Sequence, residues 1–463
     1  MLYIHMSNLK GNSNLELNAG ARIAVLGGGP AGSFFSIFAL KLAKQIGKDI
    51  DLTIYEKKGF SSEGPSSCNM CAGVVSESLV QMLAIEGICL KPPIVQRAID
   101  TYCFQTATGD VFLNSPSHQK GIATVYRGGG PVCQTTSEAD QKLESERKSF
   151  DDFLLDCAQK EGAKVENVRI ENIKLENRSP IIFSEKGKLP DFDLVVGACG
   201  INSKTIKSFE ELGIGYTCPS SIKAYQSEIH IGEKNVSALF GNAVYVFLIN
   251  QPGVKFAAIT PKGSYVTISM LGKDVTSQTV IDFLNHPIVK KKFPDSWNIT
   301  DTFCRCVPKI NVGAASYPFA NRIVMIGDAS SARLYKDGIG SAYLTAKAAA
   351  NTAILYGVGK ADFHKHYYPT CRKINMDNIF GKIMFAFTGI INKIPILREA
   401  LLNTSRYEQK HPESGYRCSA ILWDTFTGNE QYTDIFLRSF NYKLLFRISV
   451  NIVNAIFIRF KKL

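Results

Sequence analysis

Apolar residues run unbroken from Ile23 to Leu26, give way to Gly27-Gly28-Gly29, and return from Phe34 to Ile46 at helical spacing. The pattern predicts a buried strand, a tight turn and a helix. A second strand is expected over Ile50 to Tyr55, with Glu56 at its end. Lys57 to Ser67 is rich in Gly, Ser and Pro and reads as a loop; Ser76 to Ile85 then sets Leu79, Met82 and Leu83 on one helical face. Residues 95 to 126 alternate polar and apolar in short runs such as Ala98 to Phe104, as strands do. Gly128-Gly129-Gly130-Pro131 and the polar stretch to Glu146 predict a loop, and Arg147 opens a helix that runs to Glu161 and stops at Gly162.

Strands are expected again over Lys164 to Ile173, Ile181 to Ser184 and Leu194 to Val196, the last entering a second glycine turn, Gly197 to Ser203. Residues 218 to 310 are β-rich, with runs at Val244 to Ile249, Lys255 to Ile259 and Tyr265 to Leu271. Arg322 to Ile326 repeats the buried-strand pattern and ends in Gly327-Asp328-Ala329; an Ala-rich helix follows through Ala342 to Leu355, and 361 to 463 is mostly helical.

Gly27, Gly29 and Gly32 have the G-x-G-x-x-G spacing. The first glycine permits the turn, the second lets backbone approach a pyrophosphate, and the third lets helix pack on strand. With Pro30 and Ala31 between them, they place the helix's free N–H groups at an anion. Glu56, two dozen residues on, is positioned to accept hydrogen bonds from an adenosine ribose, with Lys57 beside it. An acid there, rather than Arg, favours FAD or NAD over NADP. The bland alternative is a glycine-rich turn.

Gly327-Asp328 offers a second carboxylate at a strand end, and Asp337-Gly338-Ile339-Gly340 offers backbone N–H groups at a helix start. Taken alone, Asp328 could be a helix N-cap. Arg333-Leu334-Tyr335-Lys336 sits just before, either as cations for an anionic ring or phosphate or as a solvated loop.

At 463 residues the chain calls for two packed units and an appendage. Met1 to Ala21 is polar and shows no secretory signal. Twelve scattered cysteines argue for a reducing compartment. The net charge of +12 suits membrane headgroups, nucleic acid or phosphorylated substrates. Aromatics are not interleaved with the cations, so a membrane surface ranks first and nucleic acid is set aside. No metal is expected: Cys304 and Cys306 are C-x-C, and His364 and His366 face apart at i, i+2.

In Phe436 to Phe460, Lys443, Arg447, Asn451 and Asn454 interrupt the apolar positions Leu444, Leu445, Ile448, Ile452, Ile456 and Phe457. That suits an in-plane membrane helix better than a spanning one, and Phe380 to Leu397 reads as a second such element; ordinary core helices are the alternative. The location expected is peripheral, on the cytoplasmic side of a membrane.

Gly27-x-Gly29-x-x-Gly32, Arg147-x-x-Phe150-Asp151, Gly197-Ala198-x-Gly200-x-Asn202-Ser203 and Gly327-Asp328 stand in an order that resembles flavoproteins of the p-hydroxybenzoate hydroxylase superfamily. Cys71-Ala72-Gly73 and the Asp337 to Gly340 turn look most like its geranylgeranyl reductase family, over residues 22 to 355. The resemblance implies an α/β fold: a Rossmann-type FAD-binding domain (22–217 and 311–360, carrying part of the substrate sheet near 95–126) with an inserted antiparallel-sheet substrate domain at 218–310. A 1–21 leader and the helical, basic 361–463 region complete the expected organisation. It also implies FAD as cofactor and saturation of isoprenoid double bonds.

By the same resemblance, Gly27, Gly29 and Gly32 bind pyrophosphate, Glu56 the ribose and Asp328 the ribityl chain, while Arg147 and Cys71 lie near the flavin. Cys199 stands where the family usually carries an acid, and its Tyr-Trp-Phe-Pro lipid-cavity pattern has no counterpart near Tyr245.

Cys68 and Cys71 also have C-x-x-C spacing, so a redox dithiol set on a helix start competes with a single functional cysteine and with inert packing. The reading is an FAD-dependent oxidoreductase acting on a prenyl lipid, with NAD(P)H or ferredoxin as possible electron donor, since no second G-x-G-x-x-G is present. Rivals are a flavin monooxygenase, a thiol- or quinone-linked carrier using Cys68 and Cys71, and a non-catalytic membrane flavoprotein.

Overall fold

A computed structural model describes residues 15–62, 64, 67–69, 71–115, 121–130, 138–272, 275–295, 297, 304–415 and 417–460. Most of the leader and residues 131–137 of the expected loop lie outside the described residues. The chain divides into two compact units, one of Met1–Ser62, Ser149–Ser221 and Lys309–Met376, the other of Glu63–Lys148, Ile222–Pro308 and Asp377–Leu463.

The first unit is built on a six-stranded sheet in the order Phe319–Ala320, Ile323–Met325, Leu194–Gly197, Ala21–Leu26, Ile50–Tyr55, Lys164–Glu166. Its pairings are parallel except the first. The central strands are apolar on both faces because both faces are covered. On one side the Pro30–Gln45 and Gly338–Leu355 helices pack together: Tyr343 meets Phe34 and Phe38 edge-on at 5.5 and 5.1 Å, and Ala346, Ala349, Ala350 and Ala353 let the helices approach closely. The second of these helices starts four residues before the Ala-rich stretch because Asp337 caps it.

The Phe150–Lys160 helix begins three residues later than the apolar pattern suggests, since the Ser149 hydroxyl accepts the Asp152 N–H and fixes the start there. Arg147 therefore lies outside the helix. Beneath the strand ends, the buried Tyr367 hydroxyl bonds Met325 O and Ser330, tying the C-terminal stretch of this unit to the sheet. His364 and His366 stack on Tyr368 and Tyr356 respectively.

The second unit carries a large mixed sheet running Cys304–Cys306, Ser221–His230, Tyr265–Gly272, Val254–Lys262, Ala243–Leu248, Thr101–Thr106, Gly109–Asn114. Only the Ala243–Leu248 and Thr101–Thr106 pair is parallel along that path. Alternation splits its faces. Ile229, Val266, Ile268, Met270, Ile259 and Phe247 line one side and pack on Phe283 of the Ser277–Asn285 helix. Gln226, Glu228, His230, Thr267 and Ser269 sit in the alternate register. Toward the far edge that register turns apolar, with Tyr102, Phe104, Val111, Leu113, Val244 and Val246 packed on Trp423 and Leu402. Val74–Val75, Ile122–Val125 and Val95–Ile99 make a separate small sheet.

Three expectations change here. Residues 128–146 are not loop throughout, because Glu138–Glu146 is helical. Phe436 to Phe460 is not one helix: Tyr432–Arg438 ends, and Asn441 Oδ1 accepts the Lys443 and Leu444 N–H groups to start Tyr442–Phe460. Phe380 to Leu397 is likewise broken, because Pro395 opens a new helix bent by 107° from the one before. No single helix among the described residues is long and apolar enough to cross a membrane.

Candidate cofactor and substrate sites

The glycine turn forms a cradle that side chains would fill. Gly27 has φ +117°, and a Cβ there would lie 2.6 Å from Ala198 O; a Cβ on Gly32 would lie 1.9 Å from Gly27 O. Gly29 caps the helix without a side-chain bond, and no acid occupies its first turn. The Ala31 and Gly32 amides belong to that turn, where a helix supplies no carbonyl four residues back. Ser33 closes the turn from inside, its N–H on Gly29 O and its hydroxyl on Gly28 O. Pro30 suits the first helical position, having no N–H to satisfy.

Glu56 follows its strand as expected and turns back to this cradle. Its Oε2 accepts the Gly28 N–H at 2.9 Å and its Oε1 the Lys58 N–H at 2.8 Å. The Lys57 ammonium points elsewhere, to Glu185 at 2.8 Å. Lys57 is thus left with its backbone as its contribution beside the cradle.

Gly327 arrives at the same place from the other motif. Its φ is +61°, its N–H donates to Thr345 Oγ1 at 2.9 Å, and a Cβ would meet Ala31 Cβ at 2.8 Å. Asp328 lies in the turn that follows, its main-chain carbonyl accepting from buried Asn311 at 3.0 Å and its Oδ1 3.9 Å from where a Gly338 Cβ would stand. Asp337 is left-handed at φ 50° and caps the Gly340 N–H. A Cβ on Gly340 would strike that carboxylate, and Ile339 beside it is buried. Arg333 is held by Asp337 at 3.0 Å, so this cation serves the turn itself.

One unit therefore gathers both glycine motifs, an uncapped helix start and two carboxylates, a donor and acceptor set that fits a dinucleotide's pyrophosphate and hydroxyls. Asn311 and Thr345, which fix the second turn, carry no local signal that would single them out.

In the second unit, Cys68 and Cys71 are half-buried cysteines. They do not sit on a helix start: the backbone is irregular, and Val74–Val75 separates them from the Glu77–Ile85 helix. Asn69 N–H bonds Arg127 O, and a Cβ on Gly128 would lie 2.9 Å from Cys68 Cα, so the cysteine segment packs on the Gly128–Gly130 run. Cys71 Sγ accepts the Gly73 N–H at 3.4 Å. Gly73, at φ +67°, leaves room where a Cβ would meet Val125 O at 2.0 Å and Lys262 Nζ at 3.1 Å.

Lys262 is the residue the sequence pattern missed. Its side chain is 1% exposed, paired with Glu228 at 3.1 Å and set 5.0 Å from the Tyr126 ring. Thr267 donates to the same carboxylate. Arg147 lies 5.0 Å from the Tyr126 centroid and 6.0 Å from that of Tyr265, within cation–π range. Cys199, in the first unit, is half-buried, and desolvation pushes its thiol up to about 12. No cluster of metal-ligating residues is found among the described residues.

No family model matches the chain, and no curated protein matches it. Solved structures do. A geranylgeranyl bacteriochlorophyll reductase-like protein from Thermoplasma acidophilum superposes with a TM-score of 0.60 at 13% identity, over 94% of this chain and 99% of that one. A flavoprotein/dehydrogenase from Cytophaga hutchinsonii gives 0.62 at 15%, again over 94% and 99%. The tetrameric form of 2-methyl-3-hydroxypyridine-5-carboxylic acid oxygenase gives 0.53 at 14%, over 80% and 91%. The chain shares the fold of these proteins, a reductase-like protein, a flavoprotein/dehydrogenase and an oxygenase among them.

Proposed function

We propose that this protein is an FAD-dependent oxidoreductase that reduces carbon–carbon double bonds in a prenyl or related apolar lipid. The observation that carries the reading is the grouping in the second unit: the Cys71 thiol bonded to Gly73, and Gly73 packed against the buried Lys262–Glu228 pair. A reduction of this kind needs a proton beside the carbon that does not receive hydride, and a half-buried thiol is such a source.

When bound, FAD supplies the two-electron chemistry. This chain's residues bind and orient it: the Ala31 and Gly32 amides receive the pyrophosphate, Glu56 a ribose hydroxyl, and Asp328 the ribityl hydroxyls. Cys71 Sγ delivers its proton to the substrate carbon, while Gly73, whose N–H the same sulfur accepts, keeps the segment close to the Lys262–Glu228 pair. NAD(P)H or ferredoxin are the donors proposed to return electrons.

The test is anaerobic incubation of the chemically reduced holoenzyme with a geranylgeranyl lipid, followed by lipid mass. A gain of two hydrogens per reduced double bond supports the proposal. An unchanged lipid, with oxygen inserted into it once air is admitted, would move the protein to the hydroxylases.

A further inference from the structure

The Tyr442–Phe460 helix turns two of its polar side chains, Arg447 and Asn451, toward a neighbouring helix. Asn451 Nδ2 donates to Thr404 Oγ1 at 2.9 Å and the Arg447 guanidinium stacks 3.9 Å from the Tyr407 centroid, both on the Pro395–Lys410 helix. Leu444 and Ala455 are buried on that same side. Outward stand Tyr442, Phe446, Val450, Val453 and Phe457, spaced four, four, three and four apart, with Phe446 72% and Phe457 62% exposed.

Elsewhere in the chain exposed large apolar side chains are scattered. Among the described residues, sixteen of the twenty-two lie between Met376 and Phe457. A second row, Ile379, Ile383, Phe387 and Ile390, runs along the Tyr368–Lys393 helix at the same spacing. Patches of this kind mark an interaction surface.

Charge selects the occupant. Arg447 aside, from Tyr442 to the end the sequence carries the cations Lys443, Arg459, Lys461 and Lys462 and no Asp or Glu. A second copy would bring two such cationic segments together, whereas an anionic lipid surface complements them.

We propose that the Tyr442–Phe460 helix lies in the plane of an anionic bilayer, with Phe446, Val450, Val453 and Phe457 in the acyl boundary. No residue of the cofactor or cysteine sites takes part, so this inference goes beyond the reaction proposed above and survives its failure.

The full-length protein is floated with vesicles of phosphatidylcholine, with and without phosphatidylglycerol. The expected result is co-flotation with the anionic vesicles, weakened by salt, and a partition coefficient at least tenfold lower for the F446Q/V453Q/F457Q variant. Phe457→Trp, read on an otherwise unaltered chain, should shift its added emission to the blue when anionic vesicles are mixed in. Three results overturn the proposal: wild type left at the bottom of the gradient, an F457W emission that stays unshifted, or a self-association that the triple variant abolishes without any vesicle binding.

Discussion

The Glu56 carboxylate bridges two backbone amides, Gly28 at 2.9 Å and Lys58 at 2.8 Å, so the end of one strand is tied to the glycine turn of the other. A carboxylate has about four acceptor sites, and two remain for ribose hydroxyls. Glu56→Gln turns an NH₂ against one of these amides. FAD affinity is expected to fall about tenfold, or about 1.4 kcal/mol, in a titration of the flavin-free protein. Unaltered affinity would remove Glu56 from cofactor recognition.

Lys262 and Glu228 form a pair whose separation leaves a charge buried in the sheet. Lys262→Met is expected to cost about 3–5 kcal/mol in urea unfolding, and Lys262→Met with Glu228→Leu much less. If the pair also serves the thiol, the stable double variant will fold, bind FAD and turn over slowly. Full turnover in that variant would make the pair purely structural.

Much of this was legible in the sequence. Where apolar runs alternate with glycine turns, as from Ile23 to Glu56, pattern and structure coincide, because the strands are buried on both faces and the turn admits only glycine at Gly27 and Gly32. The Tyr442–Phe460 helix was less legible. Periodicity finds its two faces but not which one turns inward, and here Asn451 and Arg447 have partners on Thr404 and Tyr407 that lie some forty residues away in sequence. Lys262 was hidden for the same reason: its partners Glu228 and Tyr126 come from other strands and loops. The cysteine spacing misled in the opposite direction, since C-x-x-C suggests a helix start and the segment instead follows the Gly128–Gly130 run.

Cys71 and Cys68 separate the single-thiol and dithiol readings. Cys71→Ser is expected to lower the rate of lipid reduction 10²- to 10⁴-fold, the usual worth of a positioned proton donor, while flavin stays bound. Cys68→Ser is expected to change it less than about tenfold. Equal losses in both, measured by single turnover, would favour a dithiol.

Burial pushes the thiols of Cys103, Cys199 and Cys418 up to about 12 from an ordinary 9. In the unfolded chain they lose their protons first, so the native state holds more protons between those values. The stability they lend is fully present below pH 9 and is lost as pH rises toward 12. The urea midpoint should be flat near neutrality and fall above that lower bound, and Cys199→Ser should make the fall shallower. A midpoint rising with alkali would contradict these burial effects.

The bound flavin itself reports reduction of the lipid. The holoenzyme is reduced without oxygen and mixed with a geranylgeranyl lipid while the visible flavin band is followed in time. The band is expected to return as the lipid is saturated, and far more slowly in Cys71→Ser. A flavin that stays reduced with every prenyl lipid offered, yet reoxidises at once on admitting oxygen, would contradict it.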